Sequence, residues 1–338
     1  MTSHPEFTEK TTGMTVAETF ADQLRGKTVV ITGVSPKGIG ASTALAFASQ
    51  APALLILASR TRARVEEVAA DIHAKHPSTR VEIVLLDLSS QADIRRAVAD
   101  IAKLTPRVDI LVNNAGIVVT TRQATPEGIE LQFGTNHIGP FLFTNLLIPL
   151  LRNAAKTSPA GATRVVTLTS GGHRLSPMRF SDYNFEGKEV PPGEDHVKPL
   201  PGAFGKFNPD GYNGIVTYAI SKTANILFTV ELQKRVKALG IAAYVLHPGT
   251  IETDLGRDQD EELTAQFYKV ALYWKTPDEG SSTTLVAALD PALNETKGLY
   301  ISDCQIADSA PHASDPVAAE RLWKLSEELV GEKFSFEA

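Results

Sequence analysis

The sequence predicts an α/β fold, a doubly wound, seven-stranded parallel sheet with helices on both faces. Two observations support this prediction. Short β-branched and aliphatic runs alternate with longer segments of helical period, as in parallel strands that are joined by crossover helices. The chain has 338 residues, of which 43% are hydrophobic and 21% are charged, and this is enough for one large domain with a full core.

The strands are predicted from apolar runs that end in polar or turn-forming residues. They cover residues 27–32, 53–58, 81–86, 108–112, 164–169, 241–246 and 298–302. The helices are predicted from helical period and composition. They cover residues 16–24, 41–50, 62–75, 91–104, 128–151 and 214–239. Right-handed connections between these elements give one doubly wound sheet.

The remaining segments divide the chain into a tail and one domain. Residues 1–15 are polar and are expected to form a disordered tail, so residues 16–338 form the domain. Residues 191–211 are rich in proline and glycine, and we interpret them as a loop within that domain rather than as a linker.

Composition excludes several classes of function. The net charge is −6 without an evident basic face, so neither nucleic acid nor an anionic membrane is an expected partner. Cys304 is the single cysteine, which excludes an internal disulfide and a thiolate zinc cluster, and no histidine or acid spacing indicates a metal site. The longest apolar run, residues 141–151, is too short to span a bilayer. We therefore expect a cytoplasmic protein.

The glycine-rich turn after the first strand is the first candidate binding site. It has the pattern T-G-x-x-x-x-G-I-G, with glycines at positions 33, 38 and 40. Glycines let the backbone approach a pyrophosphate, and the following helix N-terminus offers free N–H groups and a positive dipole. The alternative is an ordinary turn between a strand and a helix.

A candidate catalytic group follows from the spacing of Tyr218 and Lys222. Residues four apart on a helix share one face, and an ammonium beside a phenol lowers the phenol pKa toward neutrality. Such a pair suits general acid–base catalysis, although the same spacing occurs by chance on surface helices. Ser170 at the end of the fifth strand and Asn136 in the long helix before it strengthen the interpretation.

Taken together, these motifs resemble the short-chain dehydrogenase/reductase family, and the match extends over residues 24–331. Residues 113–116 match its N-N-A-G motif, residues 136–139 its N-x-x-G motif, and residues 247–253 its P-G-x-x-x-T loop. The resemblance implies a single Rossmann domain. The family turn usually has one residue fewer between its first two glycines, so we expect a bulge near Pro36. Residues 136–139, 221–228 and 321–323 resemble the retinol-dehydrogenase-like and fungal carbonyl-reductase-like branch.

The resemblance also implies catalytic roles. Tyr218 would protonate a carbonyl oxygen, Ser170 would hold that oxygen, Lys222 would bind the nicotinamide ribose and lower the Tyr218 pKa, and Asn136 would anchor a water. The turn, the ends of the strands and the loop after the sixth strand would bind the cofactor. The implied cofactor-binding residues are Gly33, Ser35, Lys37, Gly38, Ile39, Gly40, Arg60, Asp87, Leu88, Asn114, Ala115, Gly116, Tyr218, Lys222, Pro248, Gly249, Ile251 and Thr253.

The end of the second strand predicts which cofactor binds. An acid about twenty residues after the glycine turn would bind the ribose of NAD, but this chain has Arg60 there. Arg60 and Lys37 are basic groups that suit the 2′-phosphate of NADP(H), although Arg60 could also be a solvated helix-start residue. Asp87 either contacts the adenine or caps the following helix.

The expected function is NADPH-dependent reduction of an apolar or aromatic ketone or aldehyde, or oxidation of the alcohol. Alternatives are reduction of a conjugated C=C bond, an isomerisation in the same pocket, or NADP(H) sensing without turnover. Residues 254–275 are expected to form a substrate lid. Residues 186–213 form an insertion that either covers the substrate mouth or lies on the helices used for pairing, and a monomer is favoured. His173 could line the pocket or be a loop residue, whereas His247 is expected to orient the strand end.

Overall fold

The computed structural model describes residues 1–253, 255, 261–271 and 273–336. In this part of the chain the strands form one sheet. The strands are β1 (Thr28–Thr32), β2 (Leu54–Ser59), β3 (Val81–Leu85), β4 (Ile110–Asn113), β5 (Thr163–Leu168), β6 (Ile241–His247), β7 (Tyr300–Ser302) and β8 (Gln305–Ile306). Their order is β3-β2-β1-β4-β5-β6-β7-β8. The strands are parallel except for β8, which pairs antiparallel with β7. The doubly wound sheet is confirmed, with a short edge strand beyond the seven expected.

Helices alternate with the strands along the chain. They are α1 (Gly13–Thr19), α2 (Ala21–Leu24), α3 (Ile39–Ala48), α4 (Arg62–Lys75), α5 (Gln91–Leu104), α6 (Leu131–Phe133), α7 (Gly139–Ala155), α8 (Gly214–Val236), α9 (Glu261–Val270), α10 (Pro277–Leu289) and α11 (Pro316–Val330). A five-residue π-helix, Gly134–Ile138, joins α6 to α7.

Two hydrophobic cores lie on opposite faces of the sheet. Val30 and Ile56 belong to the core that includes buried side chains of α5, α7, α8 and α11. Val29 and Leu55, their neighbours along the strands, belong to the core of α1, α3, α4 and α10. Because successive strand residues point to opposite faces, these strands are buried on both sides and the helices cover both faces.

The long helix expected at residues 128–151 is divided into three parts. A short α6, the π-helix and α7 follow one another between residues 131 and 155. The i→i+5 pattern of a π-helix leaves no clear mark in an apolar sequence, and such segments occur often at functional sites. The backbone is therefore wider at Asn136 than a continuous α-helix would make it.

The expected disordered tail at residues 1–15 is wrong in the structure. The amide and hydroxyl of Ser3 donate to the Asp290 carboxylate at 2.7 and 2.6 Å, and Gln305 Nε2 donates to the Phe7 main-chain oxygen at 2.9 Å. The Phe7 side chain is buried in the same core as α10. Polar composition predicted disorder here because the partners that satisfy these polar groups lie nearly three hundred residues away.

Candidate active site

A cavity of about 440 Å³ opens at the carboxyl ends of the central strands, the position at which ligands bind in open α/β sheets. Most of the expected site residues line it. They are Gly33, Ser35, Gly38, Ile39, Gly40, Arg60, Asp87, Leu88, Asn114, Ala115, Gly116, Tyr218, Lys222, Pro248 and Thr253. Five expected residues lie beside the cavity rather than in its lining. They are Lys37, Asn136, Ser170, Gly249 and Ile251.

Asn114 holds the glycine turn against the end of β4. Its Nδ2 donates to the main-chain oxygens of Thr32 at 2.8 Å and Gly33 at 3.1 Å. A β-carbon at Gly40 would lie 2.6 Å from that Nδ2, and one at Gly33 would lie 2.6 Å from Cα of Ala115. Glycine is therefore required at both positions, because the two strand ends pack backbone to backbone.

The start of α3 presents a free backbone end to the cavity. Its N-cap is Gly38, which has no side chain to bond the first N–H groups. These donors and the helix dipole form an anion site. The extra residue of the turn is accommodated at Lys37, whose φ of 62° is left-handed, so the expected bulge lies one residue after Pro36.

The cavity fits a dinucleotide on two observations. The close approach at Gly33 and Gly40 leaves a cradle that any side chain would fill. In addition, the hydroxyl of Thr135, which lines the cavity, is buried without a hydrogen-bond partner, and such a group is normally satisfied by a ligand or water. Thr135 and the turn thus offer polar contacts to a ribose and a pyrophosphate.

Asp87 lines the cavity, but one of its oxygens is already used. Oδ1 accepts from the Ser89 amide at 2.9 Å and from the Ser89 hydroxyl at 2.7 Å. The N-cap of α5 is Ser90, which accepts from the Asp93 amide. The helix-cap alternative for Asp87 is therefore wrong, and this carboxylate closes the turn before the helix.

Tyr218 and Ser170 meet at the end of β5. A β-carbon at Gly172 would lie 3.5 Å from Ser170 Oγ and 3.6 Å from the Tyr218 ring, and Ser170 Oγ accepts from the Gly172 amide at 3.1 Å. Burial of the hydroxyl raises the Tyr218 pKa to about 12, and the nearby Ser170 side chain opposes that rise. In the protein as it stands, the phenol is a proton donor rather than a phenolate.

Lys222 lies one helical turn from Tyr218 but does not lower its pKa here. Its Nζ is 5.5 Å from the Tyr218 ring centroid and donates to the Leu168 main-chain oxygen at 3.3 Å. Burial lowers the Lys222 pKa to about 8. The expectation of a depressed Tyr218 pKa is therefore corrected, because desolvation favours the neutral form of both groups.

Asn136 uses its amide to hold neighbouring backbone. Its Nδ2 donates to Ile117 O and to Ser221 Oγ, each at 3.0 Å, and its Oδ1 accepts from Ile117 N at 2.8 Å. Both amide hydrogens are thus engaged by protein. The side chain fixes the strand end that carries Gly116 and Ile117 against α8.

Two neutral histidines support the loop after Ser170. His247 Nδ1 accepts from the Gly171 amide at 3.2 Å, and His173 Nε2 accepts from the Ala310 amide at 3.0 Å. The other His173 nitrogen, Nδ1, therefore carries the proton and donates to Ser170 O at 2.6 Å. Burial lowers both pKa values to about 4. His173 is buried and structural, so it does not line the cavity.

The insertion packs against α9, which lies within the segment expected to form a lid. Phe204 lies 4.9 Å from Phe267 of α9, centroid to centroid, in a cluster with Leu263 and Ile215. Lys206 forms an ion pair with Glu262. Residues 254, 256–260 and 272 of the expected lid lie outside the described residues.

The insertion ends on a buried polar network. The Tyr212 hydroxyl donates to Glu130 Oε1 at 2.8 Å and accepts from the Thr217 hydroxyl at 3.0 Å. Tyr212 therefore connects the insertion to the start of α6 and to the residue before Tyr218. Another element, α11, covers part of α8. The ring centroids of Trp323 of α11 and Phe228 of α8 lie 6.0 Å apart.

Several residues of the cavity escaped sequence reasoning. They are Thr32, Ala58, Ser59, Thr61, Arg64, Leu86, Ile117, Val118, Val119, Gln123, Leu131, Thr135, Leu168 and Thr169. Arg64 lies in the first turn of α4, four residues after Arg60, so the basic end of β2 is a signal that could have found it. The apolar residues 117–119 directly follow the N-N-A-G motif, which indicates their place beside it.

Comparison with known proteins identifies the family. A family model described as short chain dehydrogenase matches residues 27–184. Retinol dehydrogenase 14 of Mus musculus is 35% identical and matches 91% of this chain and 87% of its own length. Retinol dehydrogenase 12 of Bos taurus is 35% identical, with 91% and 88% covered. The chain belongs to the short-chain dehydrogenase/reductase family. This short-chain dehydrogenase is therefore an oxidoreductase similar to retinol dehydrogenases, and the resemblance seen in its motifs is confirmed.

Solved structures agree on the fold of this short-chain dehydrogenase. A crystal structure of an uncharacterised protein from Mycobacterium paratuberculosis is 29% identical, with a TM-score of 0.66 over 94% of this chain and 98% of its own. A short chain dehydrogenase from Burkholderia cenocepacia, solved in complex with NADP, is 22% identical, with a TM-score of 0.60 over 83% and 97%. Within the described residues, no helix is long and apolar enough to cross a membrane, and no group of three or more His, Cys, Asp or Glu could hold a metal ion.

Proposed function

We propose that this protein is an NADPH-dependent carbonyl reductase, reversible as an alcohol dehydrogenase, for apolar or aromatic substrates. The observation that carries the proposal is that Tyr218 and Lys222, one helical turn apart, line one cavity with the glycine cradle, and that Ser170 lies beside Tyr218. When bound, the cofactor supplies a hydride to the carbonyl carbon.

Three side chains, those of Tyr218, Ser170 and Lys222, have separate roles in the proposed reaction. Tyr218, a neutral phenol at its pKa of about 12, donates its proton to the carbonyl oxygen as negative charge develops there. Ser170 donates a hydrogen bond to the same oxygen and orients it. Lys222, whose pKa of about 8 lies near neutrality, holds the ribose and returns a proton to the phenol. When the reaction runs towards alcohol oxidation, a positive charge near Tyr218 would favour the phenolate form of its side chain.

Arg60 supports the preference for NADP(H). It lines the cavity at the end of β2 with Ser59, Thr61 and Arg64, and these described lining residues include no acid that would bind a ribose 2′-hydroxyl. A guanidinium at this place suits a 2′-phosphate. Lys37 lies beside the cavity rather than in its lining. The proposed preference for NADP(H) therefore depends more on Arg60 than on Lys37.

The cavity wall supports an apolar substrate. Val118, Val119, Leu131 and Leu255 line it, and the relatives are named for retinol, an apolar alcohol.

We also propose that the protein acts in the cytoplasm and that it is a monomer. In α8, 19 of 23 residues are buried within one chain, which leaves little of that helix for pairing.

A substrate panel tests the proposal. Purified protein is incubated with NADPH or NADH and a series of apolar aldehydes, ketones, quinones and conjugated enones, with cofactor oxidation and product structure both recorded. Alcohol products with NADPH support carbonyl reduction. Saturated or isomerised products would assign the alternative chemistry, and cofactor binding without any turnover would favour a sensor.

A further inference from the structure

The loop that follows β6, residues 248–253, rests on a buried charge behind the cavity. Lys275 has no exposed side-chain surface, and its Nζ lies 2.6 Å from Asp303 Oδ1. The other carboxylate oxygen accepts from the Tyr273 hydroxyl at 2.7 Å. Burial acts to raise the Asp303 pKa, but the bonds from Lys275 and Tyr273 outweigh it and hold this pKa low. The Asp303 side chain is therefore held as a carboxylate, and Tyr273 orients it towards Lys275.

The stem of Lys275 touches the loop directly. A β-carbon at Gly249 would lie 2.6 Å from Lys275 Cδ and 2.8 Å from Cε. The Lys275 amide also donates to the Thr250 main-chain oxygen at 2.9 Å. Gly249 has a φ of 101°, a conformation that favours glycine. The loop thus follows the surface of one lysine side chain.

The loop is held from its other side by a second close contact. A β-carbon at Gly280 of α10 would lie 2.8 Å from Ile251 Cγ1. The loop is therefore confined between Lys275 and α10, while Pro248 and Thr253 face the cavity. A shift of the lysine would move these two lining residues relative to Tyr218.

The carboxylate partner is presented by the β7–β8 turn. Asp303 and Cys304 both have left-handed φ angles, 49° and 66°, and Cys304 N donates to the Thr283 hydroxyl at 3.2 Å. His247, which accepts from the amide next to Ser170, lies within electrostatic range of Lys275 and Asp303. The charged pair therefore contacts the loop of residues 248–253 through Lys275 and lies near the histidine that supports the loop after Ser170.

We propose that Lys275 and Asp303 are positioning residues, an ion pair of a buried lysine with a partly exposed aspartate, and that this pair sets the place of residues 248–253 against the bound cofactor. Neither lines the cavity, so they act through Gly249 and Thr250 rather than by touching substrate. The inference rests on the proposed oxidoreductase function, and its test has one arm that requires no cofactor.

The variants remove charge and keep shape. Lys275→Met retains a stem that can pack on Gly249, and Asp303→Asn suits the left-handed backbone because Asn tolerates that region. The double variant removes both charges. The matched control is Lys297→Met, which removes an exposed lysine that lies 3.5 Å from Glu295.

The first arm measures amide hydrogen exchange in the protein without ligand. Faster exchange of residues 249–253 in Lys275→Met, with β6 unchanged and the control like wild type, supports the proposal. Unchanged exchange in the loop would overturn it, whatever the activity.

The second arm measures the Kd for NADPH by fluorescence, together with kcat and KM. We expect a loss of about 10- to 100-fold in kcat/KM, since a shift of about 1 Å at a site costs on the order of 100-fold. The double variant should lose no more than either single variant, because the pair acts as a unit. Lower thermal stability with unchanged Kd and kcat would assign a structural role and refute positioning. If wild type binds no NADPH while the exchange result holds, the proposed function fails and the positioning of the loop stands.

Discussion

The Ser170 side chain lies beside the Tyr218 hydroxyl and opposes the rise in its pKa, while Lys222 Nζ lies 5.5 Å from the Tyr218 ring and bonds a main-chain oxygen instead. Proton donation therefore depends on the phenol itself. Tyr218→Phe should lower kcat/KM by about 10²- to 10⁴-fold, the usual contribution of a general acid, and leave NADPH binding intact. Steady-state kinetics and a fluorescence titration measure the two effects. Tyr268→Phe, which alters an exposed tyrosine, is the control, and a near wild-type rate for Tyr218→Phe would refute the mechanism.

Arg60→Ala should weaken NADPH far more than NADH. A charge-assisted phosphate contact contributes about 1.5–3 kcal/mol, or roughly 10- to 100-fold in Kd. Arg62→Ala is a matched control, because Arg62 begins α4 two residues after Arg60, is exposed and pairs with Glu66 at 3.3 Å. Equal losses for both cofactors would show that Arg60 does not contact the 2′-phosphate. A native preference for NADH would reject the cofactor assignment.

Stability should fall as the solution is acidified through the histidine range. Burial lowers the pKa of His137 to about 3 and those of His173 and His247 to about 4, from an unperturbed 6.5. Between these values the unfolded chain binds protons that the folded chain does not. The free energy of unfolding therefore decreases as the pH is lowered through this range, by up to about 1.4 kcal/mol per pH unit for each histidine.

The variant His137→Phe measures how much one of these histidines contributes to the pH dependence of stability. His137 packs among aromatic rings of α6, α7 and α8, and its partner Ser326 keeps a bond to Leu322 O at 2.8 Å. Urea unfolding from pH 7 to pH 5 should show a shallower dependence than wild type. An unchanged slope would mean that His137 titrates normally in the folded protein.

Phe267→Ala should raise the KM for large apolar substrates and leave the Kd for NADPH unchanged. The variant removes the ring that joins α9 to Phe204 of the insertion, and such a contact contributes about 0.5–1.5 kcal/mol beyond its buried area. That is roughly 2- to 10-fold in KM. Val270→Ala, at an exposed position of the same helix, is the control. A rise in the NADPH Kd instead would assign the insertion and lid to the cofactor side.

Light scattering at micromolar concentration should give a mass near 36.3 kDa. The sequence leaves open whether the insertion covers the substrate mouth or lies on the pairing helices. In the structure, the insertion packs on α9 and also bonds Arg321 of α11 through Glu194. In addition, α11 covers part of α8, with Trp323 against Phe228. A mass of twice or four times this value would show that pairing uses another surface.

Local signals predicted much of the fold. The bounds of α4 and α5 agree with the sequence prediction, because their apolar period and their ends are explicit in the chain. By contrast, α10 is buried on all sides, so it has no amphipathic period to detect. The Asp315 N-cap and the left-handed Gly331 C-cap of α11 are signals that sequence reasoning did not use.

The candidate site likewise contains residues that a local sequence signal predicts and residues that no local signal predicts. Glycines, the Tyr218–Lys222 spacing and the basic end of β2 follow from local chemistry. The Lys275–Asp303 pair, the neutral state of His173 and the full use of the Asn136 amide depend on contacts between distant segments. Such contacts, and the desolvation that raises the Tyr218 pKa, have no local signature.

The packing of residues 1–15 has a consequence for biogenesis. Ser3 bonds Asp290, and Thr2 bonds Gln305 at 2.6 Å across 303 positions of sequence. During translation, residues 2–7 must wait until residues 290–305 have been made before these partners are present. Closing such long loops is slow, and early species expose apolar surface. The apolar face that Phe7 covers therefore stays open for some three hundred residues of synthesis, and we expect it to be a site of aggregation in incomplete chains.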